Sequence, residues 1–350
     1  MRTRTVRLRP GVQVLTRGAD EVQVGLDPRW AVRVDGLDPD EVRLWCGVGP
    51  GTDLDALARG AGARAARVRQ TVADLAAAGL TRPDPEPGTT VHGPASADAD
   101  AWSLLTADGD GERQVLARSR AVVGVVGLGA TGMAVATHLA TAGVGTLLLD
   151  DDSPVGSVDV AGGAHRWADV GVPRATAARR VLQDAAPGVR VDVDAAPDVV
   201  VVVEHDAADP ARATLLMAHG LAHLSVVVRA ADTTVGPFVR PGVDPCLHCL
   251  DLHRADVDAA WPTVLARLTA GGPDTGAVRR RGGEVGVVAG ASAALAAAQV
   301  LVHVDGSVPS LTGATVQIAL PDVVGRVRDW SAHPDCGCSR LPGPPAPSGP

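Results

Sequence analysis

Two sets of residues in this chain have the types and the spacing to do chemistry. The first is Cys246-Leu247-His248-Cys249 together with Cys336-Gly337-Cys338. Cys-x-x-Cys on a turn puts two sulfurs on one side of a knuckle, and a second tight pair can close a tetrahedral thiolate site around zinc. Four thiolates leave no open position, so such a zinc is structural and ties the C-terminal strands to the sheet. Two unmetallated pairs, or a site that takes His248 or His333 in place of a sulfur, are the alternatives. The second set is Gly127, Gly129 and Gly132 at G-x-G-x-x-G spacing, after the β-branched run 122–126 and ahead of a helix predicted over 130–142. The N-terminus of that helix offers N–H groups to an anion. Asp150, closing the next strand (144–149), is placed to take a pair of ribose hydroxyls. Glycines here also serve packing alone, so the pattern speaks for a nucleotide-type fold more directly than for a bound nucleotide. His205 and Asp206 follow the run 199–203, at the strand end where open sheets bind ligands. Action on a substrate and a solvated loop both suit that position.

The same inventory excludes other chemistries. With no Lys and no Tyr in the chain, a Tyr/Lys proton relay of the short-chain dehydrogenase kind cannot exist. No Cys lies between Cys249 and Cys336, which leaves no spare thiol for a thioester there, and no G-x-S-x-G supports a seryl hydrolase. Cys46, alone in a predicted amphipathic helix, reads as core. A net charge of −8 argues against nucleic acid and anionic membranes as partners. Arg2, Arg4, Arg7 and Arg9 are followed by no apolar segment of a signal peptide. Paired cysteines of this kind suit a reducing compartment, so a cytoplasmic location is expected. The apolar run 285–302 reads as a buried helix of an α/β domain rather than a membrane span. A hydrophobic content of 46% and a mean hydropathy of +0.13 describe a globular chain.

These residues need elements to position them, and 350 residues suggest about two domains. Residues 1–82 read as three short strands (12–15, 21–25, 31–34) and three helices. Asp38 is the N-cap of the first, with Pro39 and Glu41 following; Thr52 or Asp53 starts the second, and the third (63–78) stops at Gly79. That is the content of a small winged-helix (α+β) domain. DNA binding has little support in the modest excess of Arg over acids. Docking of an extended peptide along the third strand is the sharper reading, with Val32, Val34, Arg64, Arg67 and Val68 lining the groove; a packing appendage is the bland one. Residues 83–113 read as an irregular linker with 102–105 packing back. From 114 to 340, strands alternate with helices, as in a Rossmann-like, doubly wound α/β domain. The Pro-rich end, 341–350, is expected to be a disordered tail.

Residues 114–338 resemble the ThiF-type, ubiquitin-activating-like adenylyltransferases. The resemblance rests on Gly-Leu-Gly-Ala-Thr-Gly at 127–132, the acid run from Asp150, Asp169-Val170-Gly171-Val172-Pro173-Arg174, Pro245-Cys246 through Cys249, and the helix over 285–304. The chain is more similar still to a divergent branch that acts with YcaO enzymes in making azole- and azoline-containing peptides. Val235-Gly236-Pro237, the stretch from Cys249 to Arg254, Trp261-Pro262 and His333-Pro334-Asp335-Cys336 carry that likeness. It implies ATP and magnesium over Gly127, Gly129, Gly132, Asp150 and Arg174, structural zinc on the four cysteines, a homodimer, and an N-terminal leader-peptide domain working beside a YcaO-like partner. Departures from the family pattern bear on activity. Its Asn-x-x-Arg-Gln segment is Ser157-Val158-Asp159-Val160-Ala161 here, its phosphate Lys is Arg174, and its magnesium-linked Asp falls on His205, or on Asp206 with the alignment slipped by one. The Arg-x-x-Arg that a partner subunit lends has no match. Because such catalysis is mostly charge stabilisation, the expectation is a protein that binds a precursor peptide and presents it to a modifying enzyme, with adenylation degenerate. The alternative is an active adenylyltransferase acting on the C-terminal carboxylate of a small ubiquitin-like carrier or peptide.

Overall fold

Strands too short to stand alone open the chain, and packing holds them. The computed structural model describes residues 5–49, 51–84, 90–191, 193–269 and 283–338, so the expected tail at 341–350 lies outside the described residues. Two compact units divide between Ala117 and Arg118. In the first, β1 (Val6–Leu8), β2 (Val14–Thr16), β3 (Val22–Val24) and β4 (Val32–Val34) precede α1 (Pro39–Cys46), α2 (Leu54–Gly60), α3 (Ala65–Ala77) and β5 (Thr81–Pro83). β3 sits between β2 and β4 in an antiparallel sheet, and its Val22 and Val24 are buried with Trp45, Leu54, Val68 and Leu75. β1 and β5, which composition did not signal, pair separately. The Asp38 cap is as expected. Its carboxylate accepts from the N–H groups of Asp40 and Glu41, and the Glu41 carboxylate accepts from the Asp38 N–H, closing a capping box. Cys46, expected in the core, is exposed: it ends α1 on the side away from buried Trp45.

The stretch expected as an irregular linker, 83–113, is not wholly irregular over its described residues. It carries α4 (Ala95–Leu105), and α5 (Gly111–Arg118) begins at its end. The reason is distant in sequence. The buried Arg9 guanidinium donates to the carbonyls of Ser103 at 2.7 Å, Thr106 at 2.9 Å and Ala107 at 3.1 Å, satisfying groups that the end of α4 leaves orphaned. Gly111 then lies so close to α4 that a Cβ there would meet the Ala99 carbonyl oxygen at 2.0 Å.

The second unit is one eight-stranded sheet with helices. Its elements are β6 (Val122–Val126), α6 (Ala130–Thr141), β7 (Thr146–Asp150), α7 (Arg174–Ala185), β8 (Arg190–Val191), β9 (Val199–His205), α8 (Pro210–Ala218) and β10 (Ala222–Val228). After them come β11 (Asp232–Val239), α9 (Leu247–Val257), α10 (Trp261–Thr269), α11 (Gly286–Val304), β12 (Ala314–Ala319) and β13 (Gly325–Asp329). The order is β13-β12-β11-β10-β9-β6-β7-β8. β10, β9, β6, β7 and β8 run parallel, and β11 to β13 are antiparallel. β6 has β7 on one side and β9 on the other, so the chain reverses direction across the sheet there and leaves a crevice at the strand ends. α11 is long and apolar enough to cross a membrane. Here its Val288, Ala289, Ala293, Ala296, Ala297 and Val300, at helical spacing, are buried in the core with α6 and the sheet, as expected for a core helix. Arg118, four residues ahead of β6, and Asp305 at the end of α11, 1% and 3% exposed, lock together through bonds of 2.8 and 2.7 Å.

Candidate functional site

The two expected seats both form, and they differ in what fills them. At the first, β11 delivers Cys246 to the N-cap of α9, and the Cys249 N–H returns to the Cys246 carbonyl at 3.0 Å. Cys336 and Cys338 arrive after β13. The sulfurs stand 3.9 Å (Cys246 to Cys249), 3.6 Å (Cys246 to Cys336) and 3.4 Å (Cys249 to Cys338) apart, all four lie within 4.8 Å of one another, and all four residues are buried. Tetrahedral zinc with Zn–S bonds of about 2.3 Å sets its sulfurs about 3.8 Å apart, so the cluster could hold zinc. Burial pushes the Cys338 thiol up to about 11 and the Cys246 thiol higher still, while at Cys249 hydrogen bonds to the His333 backbone and the Cys338 sulfur outweigh burial and hold the thiol below its ordinary value. The histidine alternatives fall away. His333 Nε2 is 2.9 Å from Asp256 and its Nδ1 accepts from the Asp335 N–H at 3.1 Å, while His248 is exposed.

At the second seat the glycines have internal reasons to be glycine. Gly127 has φ +81°, and a Cβ there would lie 2.2 Å from the Val203 carbonyl oxygen of β9; one on Gly132 would lie 1.8 Å from the Gly127 carbonyl oxygen. Both positions are needed to bring α6 against the sheet. Gly129 is different, since a Cβ there would meet Glu284 Oε1 at 2.1 Å. Glu284 stands just ahead of α11, and its Oε2 accepts from the Thr131 N–H at 2.7 Å in the first turn of α6. A carboxylate of the chain itself therefore sits where a nucleotide fold receives phosphate.

The residues expected around the nucleotide are similarly engaged. Arg174, at the start of α7, gives Nη2 to both Asp159 oxygens at 2.7 and 2.8 Å and Nη1 to Asp151 at 3.0 Å. Burial alone would weaken its charge, but the bonds to Asp159 and Asp151 outweigh that and hold Arg174 above its ordinary value. Asp151 also accepts from the Leu128 N–H at 2.8 Å in the glycine turn. Burial pushes its carboxyl up; the Leu128 N–H, Arg174 and Ser153 prevail and keep it below the usual range. Asp150 ends β7 exposed, with the Arg212 guanidinium 4.0 Å away. His205 ends β9 with Nε2 3.5 Å from Glu284 Oε1, while Asp206 next to it is exposed in left-handed backbone at φ +69°. His205 thus belongs to the glycine-loop site. Sequence reasoning missed Asp151, Asp159 and Glu284. The first lay in plain view beside Asp150 and the second stands 15 positions ahead of Arg174, but Glu284 comes from far along the chain.

In the first unit the expected groove residues separate. Val32 and Val34 lie on β4, half-buried against the core. Val68 is 1% exposed and is a core residue, not part of a groove; at helical spacing it joins Thr71 and Leu75 on the buried face of α3. Arg64 binds Asp38 at 2.7 Å and Asp40 at 2.9 Å. Arg67 donates to the Asp35 carbonyl at 2.7 Å and lies 3.6 Å from Glu41. These two arginines hold the entrance of α1 to the end of β4.

The chain can be set beside known proteins on this geometry. Escherichia coli MccB, crystallised with ATP, aligns over 95% of this chain and 99% of its own at 16% identity and TM-score 0.64. The microcin C7 biosynthetic enzyme MccB in complex with N-formylated MccA aligns over 95% and 99% at 15% identity, TM-score 0.64. PaaA aligns over 91% and 98% at 15% identity, TM-score 0.67. At such identities the likeness is one of fold. No curated protein matches the sequence. The ThiF family profile matches residues 103–339, a span that includes the glycine loop, the Arg174 cluster and all four cysteines, and the chain belongs to the ThiF family.

Proposed function

We propose that this ThiF-family protein is a cytoplasmic, homodimeric scaffold that binds a precursor peptide and presents it to a YcaO-like modifying enzyme, with zinc as a structural element and adenylation lost. The pairing of Arg174 carries the reading. Arg174, the cation expected at the phosphate position, is spent on two of the chain's own carboxylates, Asp159 and Asp151. Withdrawing it for a triphosphate would leave both acids buried and unpaired, which costs several kcal/mol. Crystals of the MccB relative hold the peptide MccA, which supports a peptide as the bound partner.

Register identifies the backbone that is open to such a peptide. The Arg17 N–H bonds Glu21 and the Gly25 N–H bonds Gln13. By alternation, odd-numbered residues of β3 face β2, and Val22 and Val24 face β4. Val34 and Val32, opposite them, turn inward, and Arg33 alone of β4 turns its N–H and C=O to the free edge. An extended peptide adds there as a fourth strand, in the winged-helix manner. The test is to pan a display library of unstructured peptides against the full chain and against Arg33→Pro, which deletes the open N–H while sparing the β3 pairing. Peptides with alternating apolar residues, bound by wild type and at least about tenfold weaker on Arg33→Pro, are expected. Equal binding by both proteins refutes docking at β4.

A further inference from the structure

We infer that Glu284 is the resident anion of the glycine-loop seat and that its carboxylate shuts polyphosphates out of the crevice. The inference rests on the reading of a degenerate adenylation site and goes beyond it by naming the group that closes the site. An α-helix begins with orphan N–H groups and a partial positive charge, and α6, with twelve residues, is long enough for both to matter. Its Thr131 N–H is taken by Glu284 Oε2 at 2.7 Å. The other oxygen, Oε1, is buried without a hydrogen-bond partner among the described residues, and His205 Nε2 lies 3.5 Å from it. The side chain is 4% exposed.

A buried carboxylate with one unsatisfied oxygen is expensive, and something must hold it there. The helix N-terminus and His205 do so. Gly129 makes the room, since any side chain would collide with Oε1. The second glycine of the motif thus performs for a carboxylate oxygen the service it performs for a phosphate oxygen in a nucleotide fold. A phosphate brought to the same N–H group would meet a fixed negative charge in a poorly screened pocket. Asp151, on the Leu128 N–H, and Asp159, whose Oδ1 would lie 3.9 Å from a Cβ at Gly129, stand at the loop as well and add to that repulsion.

The experiment titrates full-length wild type, Glu284→Gln and Glu284→Ala by calorimetry with ATP, with and without magnesium, and with inorganic pyrophosphate. Wild type is expected to bind none of them at millimolar concentration. Glu284→Ala is expected to gain on the order of 1,000-fold in affinity, the scale set by removing a like charge about 4 Å away at an effective dielectric near 20. Glu284→Gln, which keeps the shape and loses the charge, gains a smaller part of this and serves as the test if the alanine variant does not fold. A purely structural Glu284 would instead lower the melting temperature and bring no new affinity. Folded variants that bind none of the probes, or a wild type that binds ATP as tightly as they do, overturn the inference. Pyrophosphate exchange by wild type would overturn the degenerate reading as well; binding without exchange removes this inference alone.

Discussion

The cysteine cluster and the glycine loop occupy the same sheet and look from sequence like equivalent ligand seats, yet the fold treats them in opposite ways. Four sulfurs converge within 4.8 Å, at the spacing a tetrahedral cation would require. At the glycine loop the chain supplies its own counter-charges: Glu284 to α6, Asp151 to the turn, and Asp159 and Asp151 to Arg174. A motif signals a ligand only where the protein leaves its donors or acceptors unanswered. On that criterion the cysteine cluster could hold zinc, and the proposed loss of adenylation follows from the glycine loop's answered donors.

The largest effect should come from opening the cysteine cluster. Purified protein should hold about one zinc per chain, measured by elemental analysis, and Cys246→Ser should lose it together with about 3–5 kcal/mol of stability, roughly 10 °C in Tm. Zinc-free protein of unchanged stability would erase the contrast between the two seats. Next, Arg174→Ala should cost about 3 kcal/mol in a denaturant melt, because it strands two buried carboxylates. If Arg174 instead served ATP, the same change would leave stability nearly intact and remove pyrophosphate exchange.

A smaller effect concerns acid. Asp151 is held low against burial by the Leu128 N–H and Arg174, and Glu284 is held low against burial by His205 and the Thr131 N–H. A carboxyl whose folded pKa lies below its unfolded value of about 4 stabilises the fold above that pH, and the contribution is lost as pH falls through the folded value. Wild type should therefore lose more Tm than Asp151→Asn on going from about pH 5 to pH 3; parallel curves would show that the carboxylates at the loop are not charged partners. Smallest of all, Asp150→Ala should change stability by less than about 0.5 kcal/mol and leave peptide binding untouched, since Asp150 is exposed and the Arg212 guanidinium is 4.0 Å away.

Much of this was present in the order of the residues. Asp38-Pro39-Asp40-Glu41 determined a capped helix, β-branched runs alternating with helical periods determined a parallel sheet, and the two cysteine pairs named a possible zinc site, because caps, periods and knuckles are local and act over a few residues. Tertiary structure alone decided the rest. Arg9 turns a linker-like composition into helix from the other end of its unit, Arg64 and Arg67 spend themselves on α1, and Val68 goes to the core. The Glu284 carboxylate reaches α6 across 153 positions of chain. No local pattern announces that an acid will fill a glycine seat. Whether a donor is free depends on which distant charge the fold carries to it, and a contact of that kind leaves no spacing to read.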